Sequence, residues 1–330
     1  MNTPLLSVIV PAKDQFDYLP DALTSLTGQF EEASALEVIV IDDGSTDGTG
    51  EVAAAFASRL PGLHIIRNET PRGLASARNQ GLAAANGRYL AYLDGDDWLA
   101  PGHLRSVTAD IQRLGCDFLR VDHVRCTGNT RSTHRAPQAR RSVVLDPRES
   151  ILPETTATMV DYCYAWAGVF DRRLADAGLL EFPDGLHTAE DRPWAWRLHL
   201  EAESYAVVDA PGILYRRGLP TSLTSIYDSR QLDFLPSFEQ VFRIVDADRE
   251  AARFWPKAAR MFLAVLSHHI GRSSEMEPDD SRALRSRAKD TLAMIPPPVL
   301  ATAVKSLDSR RFNAVRPVLP RPVRIGMNAA

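Results

Sequence analysis

An acidic turn closes an apolar segment near residue 95 of this 330-residue sequence. The segment YLAYL at 89–93 is followed directly by DGDD at 94–97. Carboxylates crowded at the end of a strand repel one another unless a cation compensates their charge. Hard divalent cations such as Mg²⁺ and Mn²⁺ prefer carboxylates combined with phosphate oxygens of a substrate. The turn is therefore suited to hold a metal–diphosphate, although a helix-capping cluster would have a similar composition.

A second acidic pair, Glu190-Asp191, lies in the segment TAEDRPW at 188–194, which predicts the start of a helix. A carboxylate in this position could act as a general base that removes a proton from an attacking hydroxyl group. The N-terminus of a helix stabilises negative charge, so we expect Asp191 to be ionised at neutral pH. Helix capping is the favoured explanation of the segment when it is considered alone.

These side chains must be positioned by the elements around them. From Leu5 to Val124, short β-branched runs alternate with helical patterns, as is typical of βαβ units. The predicted strands are 5–10, 36–41, 63–66, 89–93 and 117–124, and the predicted helices are 17–27, 48–59, 73–85 and 102–114. Because the strands are continuously apolar, we expect a mostly parallel sheet with helices on both faces. Ligands of such sheets bind beyond the carboxyl ends of the strands, which brings PAKD at 11–14, DDGS at 42–45, Asn68 and the acidic turn together.

The remainder of the chain divides into three stretches. Residues 125–148 contain six arginines and one acid and predict a surface loop. Strand and helix patterns resume at 162–216, where YAVVD and GILYRR predict two short strands. After about residue 225 the pattern is helical, at 228–247, 250–271 and 281–294. We therefore expect an α/β domain at 1–225 and a smaller α-helical domain at 226–330, which ends in a basic tail and could bind the acceptor or form homo-oligomers.

Composition excludes several classes of protein. The formal net charge of -4 gives no indication of nucleic-acid binding. The three cysteines lack C-x-x-C spacing, and no apolar run is long enough to span a membrane, so we expect a cytoplasmic protein. The basic stretches are either solvated surface or contacts for an anionic acceptor or for the inner face of the cell membrane.

Three segments together resemble the GT-A glycosyltransferases of the large inverting family 2: SVIVPAKDQFDYLPDALTSL, EVIVIDDGSTDGT and RGLASARNQGLAAANGRYLAYLDGDDW. The resemblance is close over 5–100 and looser over 160–225. It implies a GT-A Rossmann-like fold and inverting transfer of a sugar from a nucleoside diphosphate, expected to be UDP. It also implies Mn²⁺ or Mg²⁺ as cofactor and a hydroxyl acceptor on a cell-wall or surface glycan, a polymer or a lipid-linked saccharide.

The resemblance also implies roles for individual residues. The residues expected to contact the nucleoside or the diphosphate are Pro11, Ala12, Asp14, Asp43, Asn68, Arg78 and Asp94. Asp96 corresponds to the metal ligand, Asp191 to the general base, and Glu190 to a contact with the acceptor or the donor sugar. The segment ILYRRGLPTSLT at 213–224 is similar to the strand and loop that close over the diphosphate, which makes Arg217 and Ser222 candidate phosphate contacts.

Two other functions fit parts of the sequence. A sugar nucleotidyltransferase also uses a Rossmann-like sheet and acidic metal sites, but it would normally carry a Gly-rich basic loop after the first strand, unlike PAKDQFDYLP. A non-catalytic sugar-nucleotide-binding protein would share the nucleotide contacts without a working base. Trp166, Trp194 and Trp196 could stack on sugar rings. Because Trp194 and Trp196 lie two apart on a helix and cannot share one face, we expect one of them in the core.

Overall fold

The computed structural model describes residues 3–219 and 228–321. Ser222 therefore lies outside the described residues. The strands of the described chain are β1 (Leu6–Ala12), β2 (Leu36–Asp43), β3 (Leu63–Asn68), β4 (Tyr89–Tyr92), β5 (Trp98–Leu99), β6 (Phe118–Thr127), β7 (Thr130–His134), β8 (Gly168–Asp171) and β9 (Tyr205–Arg216). The helices are α1 (Leu19–Leu26), α2 (Thr49–Ala55), α3 (Leu74–Ala84), α4 (His103–Leu114), α5 (Arg172–Asp176), α6 (Asp191–Glu201), α7 (Phe234–Asp246), α8 (Ala251–Gly271), α9 (Pro278–Ala293), α10 (Pro297–Lys305) and α11 (Ser309–Val315).

One sheet contains all nine of these strands, in the order β3-β2-β1-β4-β8-β6-β9-β5, with β7 paired to β6. The pairs among β1, β2, β3 and β4 are parallel, as the alternation of strands and helices predicts. Every residue of β1 and β2 is buried, because helices cover both faces of this half of the sheet. The strands β5, β7 and β8 are antiparallel to their neighbours, which makes the other half mixed.

The five strands and four helices predicted before residue 125 are all present, with bounds that differ by a few residues. The prediction of a surface loop at 125–148 is wrong at its beginning, because β6 continues to Thr127 and forms a hairpin with β7. Gly128 adopts a φ of 51° in the tight turn between them, a conformation that glycine reaches at little cost. The two short strands predicted around residues 205–216 are one strand, β9.

The helices α7 to α11 surround a second hydrophobic cluster, separate from the one beneath the sheet. Four residues from the earlier part of the chain also belong to it: Ile151, Val160, Trp196 and Leu200. The guanidinium of Arg148 connects the two parts, since it pairs with Asp248 and Glu250 at 2.7 Å each. The predicted domain boundary near residue 225 falls outside the described residues and stays a prediction.

The tryptophans of α6 illustrate this arrangement. Trp194 packs in the cluster beneath the sheet and Trp196 in the helical cluster, and neither side chain is more than 1% exposed. Trp166 is 4% exposed. Both tryptophans of α6 are thus buried, where only one was expected in the core, and the interpretation that one of them stacks on a sugar is wrong.

Candidate active site

A buried arginine joins the two acidic segments. Arg78 lies on α3 and is 3% exposed. Its guanidinium donates to the carboxylate of Asp94 at 2.9 Å and to that of Glu190 at 2.7 Å. It also packs over the ring of Phe182 at 5.1 Å. Residues that are 112 positions apart in the chain are thereby held in one ionic network.

The acidic pair begins α6, as predicted. Burial raises the pKa of Glu190 to about 7, although the charge of Arg78 opposes this shift. Burial also raises the pKa of Asp191 against the opposing charges of Arg192 and Arg78. We expected the helix N-terminus to hold Asp191 ionised at neutral pH; the effect of burial on its pKa runs in the opposite direction, and its ionisation at neutral pH stays a prediction.

The turn before Asp191 is hydrogen-bonded to residues of the C-terminal part of the chain. Ala189 adopts a φ of 62°, which an L-residue reaches only at some cost. The hydroxyl of Ser237 on α7 donates to the carbonyl of Ala189 at 2.7 Å. Thr188 donates in the same way to the carbonyl of Arg230 at 2.8 Å. The conformation that presents the candidate base therefore depends on contacts with the helical part of the chain.

The acidic turn at 94–97 brings partly or fully buried carboxyl groups close to one another. Burial, reinforced by the charge of Asp94, raises the pKa of Asp96 to about 6. Asp97 is fully buried, and burial raises its pKa well above the ordinary range. Its Oδ1 accepts from the backbone N–H of Arg216 at 2.7 Å, and its Oδ2 has no hydrogen-bond partner among the described residues.

Such a turn fits a divalent cation. Residues 3–219 and 228–321 contain no group of three or more His, Cys, Asp or Glu side chains that could hold a metal without other ligands. One or two carboxylates completed by substrate phosphate oxygens are the usual ligand set of Mg²⁺. Asp96 is half-buried beside Asp94, and the raised pKa of its carboxyl shows that the charge of Arg216 does not fully offset burial and this neighbouring carboxylate; its role as a metal ligand stays a prediction.

The predicted nucleoside side lies at the ends of β1 and β2. Asp43 is 4% exposed, and its carboxylate accepts from the side chain of Asn68 and from the backbone N–H groups of Arg72 and Gly73, each at 2.8 Å. Asp43 therefore holds the loop that leads into α3. A contact with the nucleoside would use a lone pair that these three bonds leave free.

The turn after β1 is joined to the turn after β2. The exposed Asp14 accepts from the backbone N–H of Thr46 at 3.0 Å, and its own N–H donates to Ser45 at 3.0 Å. Pro11 and Ala12 are buried at the end of β1. A Cβ at Gly95 would lie 3.1 Å from the carbonyl oxygen of Pro11, so the acidic turn packs closely against this edge. The other predicted contacts with the nucleoside or diphosphate lie at neighbouring elements: Asn68 ends β3, Asp94 follows β4, and Arg78 on α3 reaches Asp94. The individual roles stay predictions.

Arg217 is separated from the carboxylate network. Its side chain is exposed, packs over the ring of Tyr215 at 5.4 Å and donates to the Tyr215 hydroxyl at 3.0 Å.

In the arginine-rich stretch at 125–148, the guanidinium of Arg141 donates to the carboxylate of Asp122 at 2.9 Å and to the carbonyl of Ala136 at 3.0 Å. The charge of Arg141 is therefore paired within the protein. The neighbouring Arg140 is exposed.

Sequence reasoning missed Arg216. Its Nε donates to the carbonyl of Asp96 at 2.8 Å, its terminal nitrogen donates to Asp21 at 2.8 Å, and its guanidinium stacks on Trp98 at 4.6 Å. The sequence indicates that only one of the adjacent arginines at 216–217 can face the acidic turn, because adjacent residues of a strand face opposite sides of the sheet. In the structure this residue is Arg216.

Known proteins of one family are similar to this chain. The family model described as "Glycosyl transferase family 2" matches residues 7–175. The chain is 30% identical over 229 residues to the uncharacterized glycosyltransferase EpsJ of Bacillus subtilis, a match that spans 68% of this chain and 64% of the relative. It is 26% identical over 253 residues to the poly(ribitol-phosphate) beta-N-acetylglucosaminyltransferase TarS of Staphylococcus aureus, across 74% of this chain and 41% of TarS.

A solved structure has the same fold. The structure of S. aureus TarS 1–349 in complex with UDP-GlcNAc superposes with a TM-score of 0.72 and 21% identity, covering 98% of this chain and 91% of that chain. The coverage includes the C-terminal helices, which confirms the predicted GT-A fold with a helical C-terminal part. No helix within the two described ranges is long and apolar enough to cross a membrane.

Proposed function

The chain belongs to glycosyl transferase family 2, and we propose that it transfers a sugar from UDP to a hydroxyl group of a cell-wall or surface glycan, a polymer or a lipid-linked acceptor, with inversion at the anomeric carbon. The observation that carries this proposal is the contact of Arg78 with Asp94 on one side and Glu190 on the other. It joins the predicted donor-binding turn to the helix that begins with Asp191. The similarity to TarS, whose structure was solved in complex with UDP-GlcNAc, supports UDP as the donor nucleotide.

Asp191 is proposed as the general base. Inverting transfer needs a group that removes the proton from the acceptor hydroxyl as its oxygen attacks the face opposite the diphosphate. The raised pKa of Asp191 supports this role, since a carboxylate with a higher pKa accepts a proton more readily while ionised. Glu190 has one oxygen bound to Arg78, so we assign it to orienting Arg78 and to contacting a sugar hydroxyl.

Asp96 and the donor diphosphate would hold Mn²⁺ or Mg²⁺. The ion, when bound, neutralises negative charge that grows on the leaving diphosphate. The protein's own contribution is to keep Asp96 in place through Arg216, which binds the carbonyl of the same residue. Arg78, a buried cation beside Asp94, adds positive charge near the proposed diphosphate position.

The test is release of UDP from a panel of UDP-sugars with Mn²⁺ or Mg²⁺, with and without EDTA. We expect one donor to be turned over only when the metal is present. Asp191→Asn should lower kcat by roughly 10²- to 10⁴-fold and leave UDP binding intact, because general-base catalysis typically contributes that much. Asp184→Asn is the matched control, since Asp184 is exposed in the loop before the same helix. Turnover that is insensitive to EDTA would refute the proposed metal dependence. An unchanged kcat in Asp191→Asn would refute the proposal that Asp191 is the general base.

A further inference from the structure

The carbonyl of Ala189 connects the candidate base to the C-terminal helices. It accepts from the hydroxyl of Ser237 on α7 at 2.7 Å. It also accepts from the backbone N–H of Arg192, in the first turn of α6, at 3.3 Å. Asp191 lies between the two residues that this second bond joins. The direction of one carbonyl group is therefore linked both to α7 and to the turn that carries Asp191.

The bond from Ser237 is made inside the protein. Ser237 is fully buried, and the carbonyl of Ala189 is the partner of its hydroxyl. A buried hydroxyl is normally paired, because leaving it without a partner forfeits the hydrogen bonds that it makes in water. Replacement of Ser237 by alanine would leave the carbonyl of Ala189 with the longer bond from Arg192.

The backbone at Ala189 needs such a bond. Its φ of 62° is a conformation that an L-residue adopts only at a cost and keeps only when its surroundings fix it. At a negative φ the carbonyl of Ala189 would point in another direction, and the chain would enter α6 differently. The bond from Ser237 can form only while the carbonyl keeps its present direction. It therefore favours the conformation that alanine by itself opposes.

Two neighbouring bonds fix the same turn. The N–H of His187 donates to the carboxylate of Asp233 at 2.7 Å, and the hydroxyl of Thr188 donates to the carbonyl of Arg230 at 2.8 Å. Each of the three residues 187–189 is thus hydrogen-bonded to the part of the chain between 230 and 237. A turn attached at three successive positions has its direction set by the element to which it is attached.

The beginning of α6 has little other support from its own side chains. Glu190 at the N-cap position does not cap the helix, and its carboxylate accepts from Arg78 instead. That bond attaches residue 190 to the sheet side of the site, whereas the bond from Ser237 attaches residue 189 to the helical side. Asp191 follows directly after both attachments.

We propose that Ser237 is a positioning residue for the transfer reaction, because its bond to Ala189 selects the backbone conformation that directs Asp191 toward the acceptor hydroxyl. This inference rests on the proposed function for the role of Asp191 as the base. Ser237 acts through the backbone of Ala189, so its loss should affect kcat and leave donor binding unchanged.

The first test is UDP release by Ser237→Ala, with the donor that the unmodified protein turns over. We expect kcat to fall roughly two- to tenfold, the change in population that corresponds to the net contribution of one hydrogen bond. The KM for the donor and the affinity for UDP should stay within about twofold. Ser267→Ala is the matched control, because Ser267 is also buried in the helical part and donates to the carbonyl of Ala264 at 2.8 Å. It should leave kcat unchanged.

The second test repeats the substitution in the Ala189→Gly background. Glycine adopts a positive φ without the cost that alanine carries, so the turn no longer depends on Ser237. Adding Ser237→Ala should then lower kcat by less than about twofold. An equal loss in both backgrounds would overturn the proposal, because Ser237 would act by another route. An unchanged kcat in Ser237→Ala alone would overturn it too, and so would a loss of UDP affinity as large as the loss of kcat.

Hydrogen exchange gives a measurement that does not require turnover. The N–H of Arg192 is bonded to the carbonyl of Ala189, so it should exchange roughly two- to tenfold faster in Ser237→Ala and at an unchanged rate in Ser267→Ala. The same rate in Ser237→Ala as in the unmodified protein would contradict the proposal. Failure of the proposed function is a separate result, namely no UDP release by the unmodified protein with any donor, and the exchange rate then still decides whether Ser237 fixes the turn.

Discussion

Replacing Arg78 by methionine tests the ionic network directly. The side chains of Arg78 and Glu190 are 4% and 6% exposed, whereas that of Asp94 is 26% exposed. Breaking a buried ion pair by removing one partner typically costs about 3–5 kcal/mol, since it leaves a buried charge uncompensated. The more exposed pair with Asp94 adds less, because water screens it. We therefore expect Arg78→Met to lower the free energy of unfolding by about 3–5 kcal/mol at pH 8.

The loss of unfolding free energy in Arg78→Met should depend on pH. Burial already raises the pKa of Glu190 to about 7, and removal of Arg78 removes the charge that opposes this shift. In the variant the native state therefore prefers the protonated carboxyl more strongly. Its stability should be retained near pH 5 and should fall as pH rises through the raised pKa. The deficit relative to the unmodified protein should consequently be smaller at pH 6 than at pH 8.

Urea unfolding at both pH values measures the effect. Arg113→Met is the control, because Arg113 is 57% exposed and pairs with Asp110 at 2.7 Å on the surface of α4. It should cost less than about 1 kcal/mol at either pH. Adding Glu190→Gln to Arg78→Met should recover part of the stability, because the stranded charge is then gone. A loss under about 1 kcal/mol at pH 8, or a double variant no more stable than the single one, would refute the reasoning.

Three further predictions concern the site and the sheet beneath it. Because burial raises the pKa of Asp191 and its ionised form is the proposed base, kcat/KM should fall with decreasing pH around a midpoint above the ordinary value of 3.8, and a midpoint at or below that value would contradict this. Arg216→Lys keeps a charge but loses the planar fork, so the KM for the donor should rise roughly tenfold in UDP-release assays, while an unchanged KM would remove Arg216 from the positioning of the turn. Gly81→Ala should destabilise the protein by about 1–3 kcal/mol in urea, since a Cβ there would overlap the isoleucines of β1 and β2. Gly271→Ala, which meets nothing within 4 Å in the last turn of α8, should be neutral or stabilising by up to about 1 kcal/mol, and equal effects of the two changes would contradict the packing argument.

The fold was predictable from sequence where one local pattern determined the outcome. The strands β1 and β2 are continuous apolar runs followed by turn residues, and their burial on both faces follows from that composition. The hairpin strand β7 has four exposed residues of five and no alternation of apolar and polar side chains. Its formation depends on hydrogen bonds with β6, which a pattern search along the chain does not detect.

The site was predictable as a set of residues and not as a network. Asp94, Arg78 and Glu190 could each be identified from motifs, but the ion pairs among them join distant parts of the chain. The ionisation of Asp191 shows why this matters. Its place at the start of a helix is a local property that favours the charged form, whereas its burial is a tertiary property that raises its pKa.

The C-terminal part of the chain also fixes the backbone conformation that precedes Asp191. A residue other than glycine at positive φ, such as Ala189, costs about 1–2 kcal/mol and persists only when its surroundings fix it. Those surroundings are Ser237, which binds the carbonyl of Ala189, and the carboxylate of Asp233, which accepts from the N–H of His187 at 2.7 Å. Both acceptor and donor come from the part of the chain after residue 227, so the geometry of the candidate base at Asp191 depends on elements that the sequence pattern assigns to a separate helical domain.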